Sequence, residues 1–325
     1  MNYKDILDNF KNKNILVVGD IILDHYILGK VERISPEAPV PIVDVQKEVY
    51  LLGGAGNVAN NIATLGAKAT IAGVVGIGHN AALLKTLLAQ RQINTAGITA
   101  ENRPTTVKTR VIAHSQQVVR FDREDKAPIG SDCFIKLTDY LKNNILNFDG
   151  IIISDYKKGV ISQQLMEFIL NITKQKGIFV AVDPKVGHFD YYKGVSLITP
   201  NKKEASEGAN MLITDPPSLE QAGFSLIKNL QCDSVLITRG EEGMSLFHKD
   251  TVQHIPTVAM EVYDVTGAGD TVIAVYTLSH VCGASLYESA VIANHAAGIV
   301  VREVGTAVTK VDDLYCSLTK QKWPC

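Results

Sequence analysis

The chain has 325 residues, 46% of them hydrophobic, and a formal net charge of −2 at pH 7. That is apolar material for one large α/β domain or two small ones, and it excludes an extended disordered chain. The near-neutral balance argues against a general nucleic-acid or membrane-surface binder, and no apolar run reaches the length of a membrane span. The start, Met1-Asn2-Tyr3-Lys4-Asp5, lacks the apolar stretch of a secretory signal, so a cytoplasmic location is expected. Cys133, Cys232, Cys282, Cys316 and Cys325 form no Cys-x-x-Cys pair and read as free thiols. No His/Cys cluster has zinc-ligand spacing.

Ile15-Leu16-Val17-Val18-Gly19-Asp20 is a continuous apolar run ending in Gly-Asp, the pattern of a buried parallel strand. Asp20 and Asp24 follow it, and ligands of open α/β sheets sit at the carboxyl ends of strands. The same residue types also cap turns and helices. Pro36, Pro39 and Pro41 forbid helix and predict an extended or edge segment. Alternation at Val43, Val45 and Val49, then over Thr105 to Ile112 and Val118 to Asp122, predicts a small separate β-layer. His114-Ser115-Gln116 is the expected hairpin turn within it. This layer, over about 35–50 and 104–123, is too small to be stable alone, and we expect it to pair with a second copy as a homodimer.

Gly53-Gly54-Ala55-Gly56-Asn57-Val58-Ala59 contains a dinucleotide-type glycine spacing. It lacks both a buried strand before it and an acidic residue at the end of the next strand, so a dehydrogenase is not expected. From residue 66 strands and helices alternate. Strands are predicted at Thr70–Val75, Gly150–Ser154, Phe179–Val182, Ser196–Ile198 and Ser234–Thr238. Helices are predicted at Ala81–Gln90, Phe134–Leu146, Gln163–Lys174, Leu219–Leu230, Asp270–Val281 and Leu286–Val301. The rhythm implies a mostly parallel sheet with helices on both faces.

Polar groups gather at the strand ends: Asp155-Tyr156-Lys157-Lys158-Gly159, Asp183-Pro184-Lys185 and Asn201-Lys202-Lys203-Glu204. Asn201 and Glu204 lie one helical turn apart and suit a hydrated Mg²⁺; the plainer reading is a helix start. Thr238-Arg239-Gly240-Glu241-Glu242-Gly243 is either a hairpin turn or a nucleotide contact. Lys108, Arg110, Lys158 and Lys185 supply cations suited to a substrate that already carries a phosphate. Lys157 and Lys202 also read as solvated surface lysines.

Asp264-Val265-Thr266-Gly267-Ala268-Gly269-Asp270 opens a helix. Small residues let a ligand approach the backbone, and the unpaired N–H groups with the helix dipole make an anion site. Asp270 either caps that helix or takes a proton from a substrate hydroxyl.

This segment resembles the C-terminal signature of the ribokinase-like carbohydrate kinases, the PfkB family, and the glycine stretch at 53–59 resembles the N-terminal one. The resemblance extends over nearly the whole chain. It implies one ribokinase-like domain over 1–325 with the β-layer as a lid. It also implies Asp270 as catalytic base and Gly267, Ala268 and Gly269 as anion hole. Asp20, Gly53, Gly54 and Asn57 would hold the sugar. Asn201 and Glu204 would order Mg²⁺ through water. Thr238, Arg239, Gly240, Gly243, Gly267, Gly269 and Asn294 would lie beside ATP. Backbone carbonyls near Asp264 and Gly305-Thr306-Ala307 would hold a monovalent cation such as K⁺.

Four further stretches resemble the kinase domain of the bacterial heptose-7-phosphate kinases of lipopolysaccharide core synthesis. They are Ile34 to Pro41, Lys108-Thr109-Arg110, Asp155 to Gly159 and Asp183 to Lys185. This implies phosphorylation of D-glycero-β-D-manno-heptose 7-phosphate at its anomeric oxygen, with Asp155 joining the cations at the substrate. The chain carries no nucleotidyltransferase His-x-Gly-His motif, so a free-standing kinase and the first domain of a fusion are both expected forms. The alternatives are a kinase for another sugar and a non-catalytic sugar-binding protein on the same scaffold.

Overall fold

The computed structural model describes residues 3–114, 116–259, 261–303 and 305–320; Ser115 of the expected turn and Cys325 lie outside them. The chain begins with α1 (Tyr3–Asp8) and β1 (Asn14–Gly19), followed by the long strands β2 (Ile21–Ile34) and β3 (Pro41–Gly54). Next come α2 (Ala55–Thr64), β4 (Lys68–Val75), α3 (His79–Gln90) and β5 (Asn94–Ala100). A second hairpin, β6 (Thr106–Ala113) and β7 (Gln116–Arg123), precedes α4 (Ser131–Asn144). The chain returns through β8 (Gly150–Ser154), α5 (Gln163–Thr173), β9 (Phe179–Asp183), β10 (Leu197–Ile198), α6 (Lys202–Gly208) and α7 (Pro216–Leu230). It closes with β11 (Ser234–Thr238), β12 (Met244–His248), β13 (Thr251–Ile255), α8 (Ala268–Val281), α9 (Leu286–Val300) and α10 (Val311–Thr319).

Nine strands form one sheet in the order β13-β12-β11-β10-β9-β8-β1-β4-β5, parallel except for the last hairpin at its edge. The run Ile15 to Val18 is fully buried in its middle, as a continuous apolar strand requires. Side chains alternate across the sheet, so Ile15 and Val17 join one core while Leu16 and Val18 join the other. The first core lies under α2, α3, α8 and α9; the second lies under α4, α5 and α7. This is the ribokinase-like α/β architecture.

The smaller sheet has the order β3-β2-β6-β7. Its second strand, β2, is an addition to the segments expected from alternation. No glycine turn or proline separates it from β1: the chain passes through Asp20 and stays extended, and Ile21 to Leu23 are buried like a core strand. The paired residues Asp24–Lys108 and Tyr26–Arg110 put one face toward the large sheet's carboxyl edge. The opposite face exposes Val45, Val119 and Phe121.

Arg103 pins the two chain crossings between the sheets. Its guanidinium is 8% exposed and pairs with Glu101. It also donates to the carbonyls of Asp125 (2.7 Å), Ala127 (3.1 Å) and Lys158 (3.2 Å). A nearly buried cation satisfied in this way is costly to remove. Arg103→Met is expected to lower unfolding free energy by roughly 2–4 kcal/mol, read as a lower urea midpoint at unchanged slope.

Candidate active site

Asp270 occupies the first turn of α8, after Gly267 in the left-handed region at φ 80°. A side chain at 267 would place its Cβ 2.7 Å from the Asn57 amide nitrogen, so the turn needs glycine. Asp270 is 3% exposed. Its carboxylate makes no capping hydrogen bond among the described residues; it turns into the space between the sheets. Oδ2 accepts from Asn57 Nδ2 at 2.8 Å and Oδ1 accepts from the Tyr156 hydroxyl at 2.9 Å. Burial pushes its pKa up to about 6, against the pull of those two bonds; Asp24 adds to the rise and Lys108 opposes it. The N–H groups of Gly269 and Asp270 have no acceptor among the described residues, and the dipole of the 14-residue helix adds to their positive field. The buried Oδ1 of Asn57 also lacks a partner among the described residues, which leaves an acceptor beside the Asp270 carboxylate.

The smaller sheet supplies the facing wall. Asp24 is buried and pairs with Arg110, whose Nη1 lies 2.5 Å from Oδ1, while the guanidinium packs over the Tyr26 ring. Gly53 is opposite: a Cβ there would fall 2.2 Å from Asp24 Oδ2. Lys108 has no carboxylate partner among the described residues, and its ammonium stands 4.8 Å above the Tyr156 ring. Burial holds its pKa below the ordinary lysine value.

The strand-end residues divide. The Asp20 carboxylate accepts the backbone N–H groups of Tyr156 (2.8 Å), Lys158 (3.0 Å) and Val160 (3.2 Å). Its pKa rises to about 6 through burial and the nearby Asp155. It holds a turn. Asp155 is likewise spent on His188 and Tyr192, both at 2.7 Å, and on the Lys157 N–H. The Lys158 ammonium pairs with Glu124 at 2.6 Å. Lys185 pairs with Glu204 at 3.4 Å, so the structure places it beside the Asn201 helix. Lys157 is exposed, as a solvated lysine would be.

Asn201 and Glu204 close a capping box at the start of α6: Asn201 Oδ1 accepts the Glu204 N–H at 2.9 Å, and Glu204 Oε2 accepts the Asn201 N–H at 3.1 Å. The helix-start reading therefore holds for both side chains. Asp183, at the end of β9, accepts no side-chain hydrogen bond among the described residues. Burial, followed by the charges of Asp270 and Glu204, raises its pKa well above the ordinary value. Thr238 to Gly243 is a hairpin connection, since β11 and β12 pair antiparallel. It also lines a cavity of about 630 Å³ whose wall includes Asn201, Thr238, Gly240, Gly243, Gly269 and Asn294. Arg239 stands apart from that wall and donates to the Glu242 carbonyl at 2.8 Å. Asp264 accepts from the Gly305 N–H at 2.9 Å, which brings those two loops together.

Sequence patterning passed over Asp24 and Tyr156 as site residues. Asp24 lies four positions after Asp20, inside β2, and only the β2–β6 register sets it opposite Lys108.

A buried carboxylate at a glycine-led helix start, beside a polar-and-apolar cavity and under a cationic sheet, defines a phosphotransferase site. The chain belongs to the pfkB family of carbohydrate kinases, whose family model matches residues 12–313. It is a carbohydrate kinase. It is 43% identical over 316 residues to the bifunctional protein HldE of Syntrophotalea carbinolica, covering 97% of this chain and 64% of that protein. It is 46% identical over 301 residues to the HldE of Citrifermentans bemidjiense, covering 92% and 62%. The chain thus spans less than two thirds of these relatives' lengths. Phosphofructokinase-2 from Escherichia coli, solved with substrates and products, has a TM-score of 0.80 at 21% identity, over 95% of this chain and 99% of that one. Ribokinase from Arabidopsis thaliana, solved with ribose and ATP, has 0.74 at 20%, over 94% and 98%. These two show the shared fold.

An acid whose pKa is raised by folding costs nothing below its unfolded value and lowers stability once pH exceeds the folded value. Asp270→Asn is therefore expected to match wild type in stability near pH 4 and to exceed it above pH 6, by up to about 3 kcal/mol at 1.36 kcal/mol per pH unit. Its turnover should fall at least about 10²-fold. Urea melts at both pH values and a coupled assay for ADP read the two effects separately.

Proposed function

We propose that this kinase transfers the γ-phosphoryl group of ATP to the anomeric oxygen of D-glycero-β-D-manno-heptose 7-phosphate, giving the 1,7-bisphosphate for ADP-heptose and lipopolysaccharide core synthesis in the cytoplasm. The observation that carries the reading is Asp270, buried between the sheets at the mouth of α8, with unpaired Lys108 facing it from the smaller sheet. The sugar hydroxyl gives its proton to Asp270 as its oxygen bonds to the γ-phosphorus. The bond from that phosphorus to the β–γ bridging oxygen breaks, and ADP leaves. The amides of Gly269 and Asp270 hold the charge that develops. Asn57 Oδ1 and Asp24 accept sugar hydroxyls. The cavity of Thr238, Gly240 and Asn294 takes the nucleotide.

Mg²⁺ fits this site because Asp270 and Glu204 crowd two carboxylates around Asp183, and a dication would relieve the charge that raises the Asp183 pKa. Asn201 and Glu204 would hold it through water, and it would neutralise phosphate charge when bound. The carbonyls around Asp264 and Gly305 are the proposed place for a monovalent cation such as K⁺. The smaller sheet acts as the lid.

Arg110 is committed to Asp24, so Lys108 is the better reader of a phosphate already on the substrate. Lys108→Met is expected to raise KM for the heptose phosphate at least about tenfold, the equivalent of 1.4 kcal/mol, with KM for ATP little changed. The check is ADP release over a panel of sugar phosphates and free sugars. Equal use of unphosphorylated ribose or fructose by wild type would remove both the heptose reading and the phosphate role.

The exposed outer face of the lid, with Val45, Val119 and Phe121, supports a homodimer formed lid to lid. Phe121→Asp should convert a dimer into a monomer by light scattering at micromolar concentration, and a monomeric wild type would rule the arrangement out.

A further inference from the structure

Among the described residues, Tyr156 is the side chain that touches both the base and the ammonium of Lys108 on the facing sheet. Its hydroxyl donates to Asp270 Oδ1 at 2.9 Å, and Lys108 Nζ caps its ring at 4.8 Å. A tyrosine kept for packing alone would turn its hydroxyl to solvent or to a backbone carbonyl. Here burial, with the charge of Asp270 next, holds the phenol pKa well above its ordinary value, so the group stays a donor at every working pH. The ring is not free to drift. The Tyr156 backbone N–H is tied to the buried Asp20 carboxylate at 2.8 Å. The next residue, Lys157, sits in the left-handed region at φ 58°, with its N–H held by Asp155 at 2.8 Å.

We propose that Tyr156 is the positioning residue of the base: its hydroxyl fixes the direction of the Asp270 carboxylate and keeps it ionised, and Lys108 of the lid steadies the ring. The inference rests on reading Asp270 as the base. It assigns a purpose to the three backbone bonds of Asp20, which build the turn that aims Tyr156. The other groups facing Asp270 are Asn57 on α2, Asp24 on β2, Lys108 on β6 and Asp183 at the end of β9. Asp24 raises the Asp270 pKa, the ammonium and the amide lower it, and Asp270 in turn raises that of Asp183; none of these groups changes when the phenol oxygen alone is removed.

The experiment uses Tyr156→Phe and, as a second variant that keeps the shape of the side chain, 3-fluorotyrosine placed at 156. Carbon-13 labelled aspartate reports the Asp270 carboxyl titration, assigned by its loss in Asp270→Asn. The kcat/KM profile against pH is measured on the same proteins. Losing a hydrogen bond to the charged form should raise the Asp270 titration by about one pH unit in the Phe variant. The acid limb of kcat/KM should move up with it, giving about a tenfold loss near pH 6 and only a few-fold loss near pH 8.5. The more acidic fluorophenol is a stronger donor and should move both in the opposite direction. Equal losses at every pH with an unmoved carboxyl titration would overturn the proposal and leave Tyr156 a packing residue. A carboxyl titration that moves while the limb stays put would remove Asp270 as the base and the positioning role with it.

Discussion

A carboxylate placed in a cleft from which water is largely excluded has to be met by donors, or it takes a proton and stops being a base. That requirement organises this molecule. Asp270 needs a helix start beneath it and an amide on one oxygen and a hydroxyl on the other. It also needs a cation across the cleft to offset Asp24. These come from α8, from α2, from the turn after β8, and from the smaller sheet. The four residues, Asn57, Lys108, Tyr156 and Asp270, lie far apart in sequence.

The large sheet meets that requirement by chain direction. Parallel strands end on the same edge, so Asp183 and the Asn201 turn arrive at one side of the molecule, with Tyr156 just past the end of β8. Much of the polar chemistry at that edge is spent on holding loops in place. Asp20 fixes the 156–160 turn, Asp155 fixes the 188–192 segment, and the Asn201–Glu204 box starts α6. Asp20 and Asp155 are buried, and backbone and side-chain donors meet the cost of their burial; the loops that these groups hold carry the groups left free to act.

The smaller sheet works differently. It has one face of charged side chains toward the cleft and one apolar face exposed, so it is not a self-sufficient layer. Its attachment depends on the Arg103 cluster and on the Lys158–Glu124 pair. The latter joins the chain leaving β7 to the same turn that carries Tyr156. The smaller sheet is thereby tied to the turn at 156–160, from which Tyr156 reaches Asp270.

Patterning along the chain was enough for the α/β rhythm, because buried parallel strands are continuous apolar runs and their helices carry a separate period. It was also enough for the glycine-led helix at 267–270, because a small-residue turn before an apolar helix has few other uses. For the 201–204 segment it left two readings open, and the capping box realises the plainer one without using up the carboxylate. What only the tertiary structure decided was which carboxylates are free. Asp20, Asp24, Asp155 and Asp183 look alike in sequence, each near a strand end. Whether each meets backbone N–H groups, a guanidinium or open cleft depends on strand register and on loops far away in the chain. A local pattern carries backbone conformation and burial; the partner of a buried charge is set by the three-dimensional packing, and that partner determines whether the charge builds structure or does chemistry.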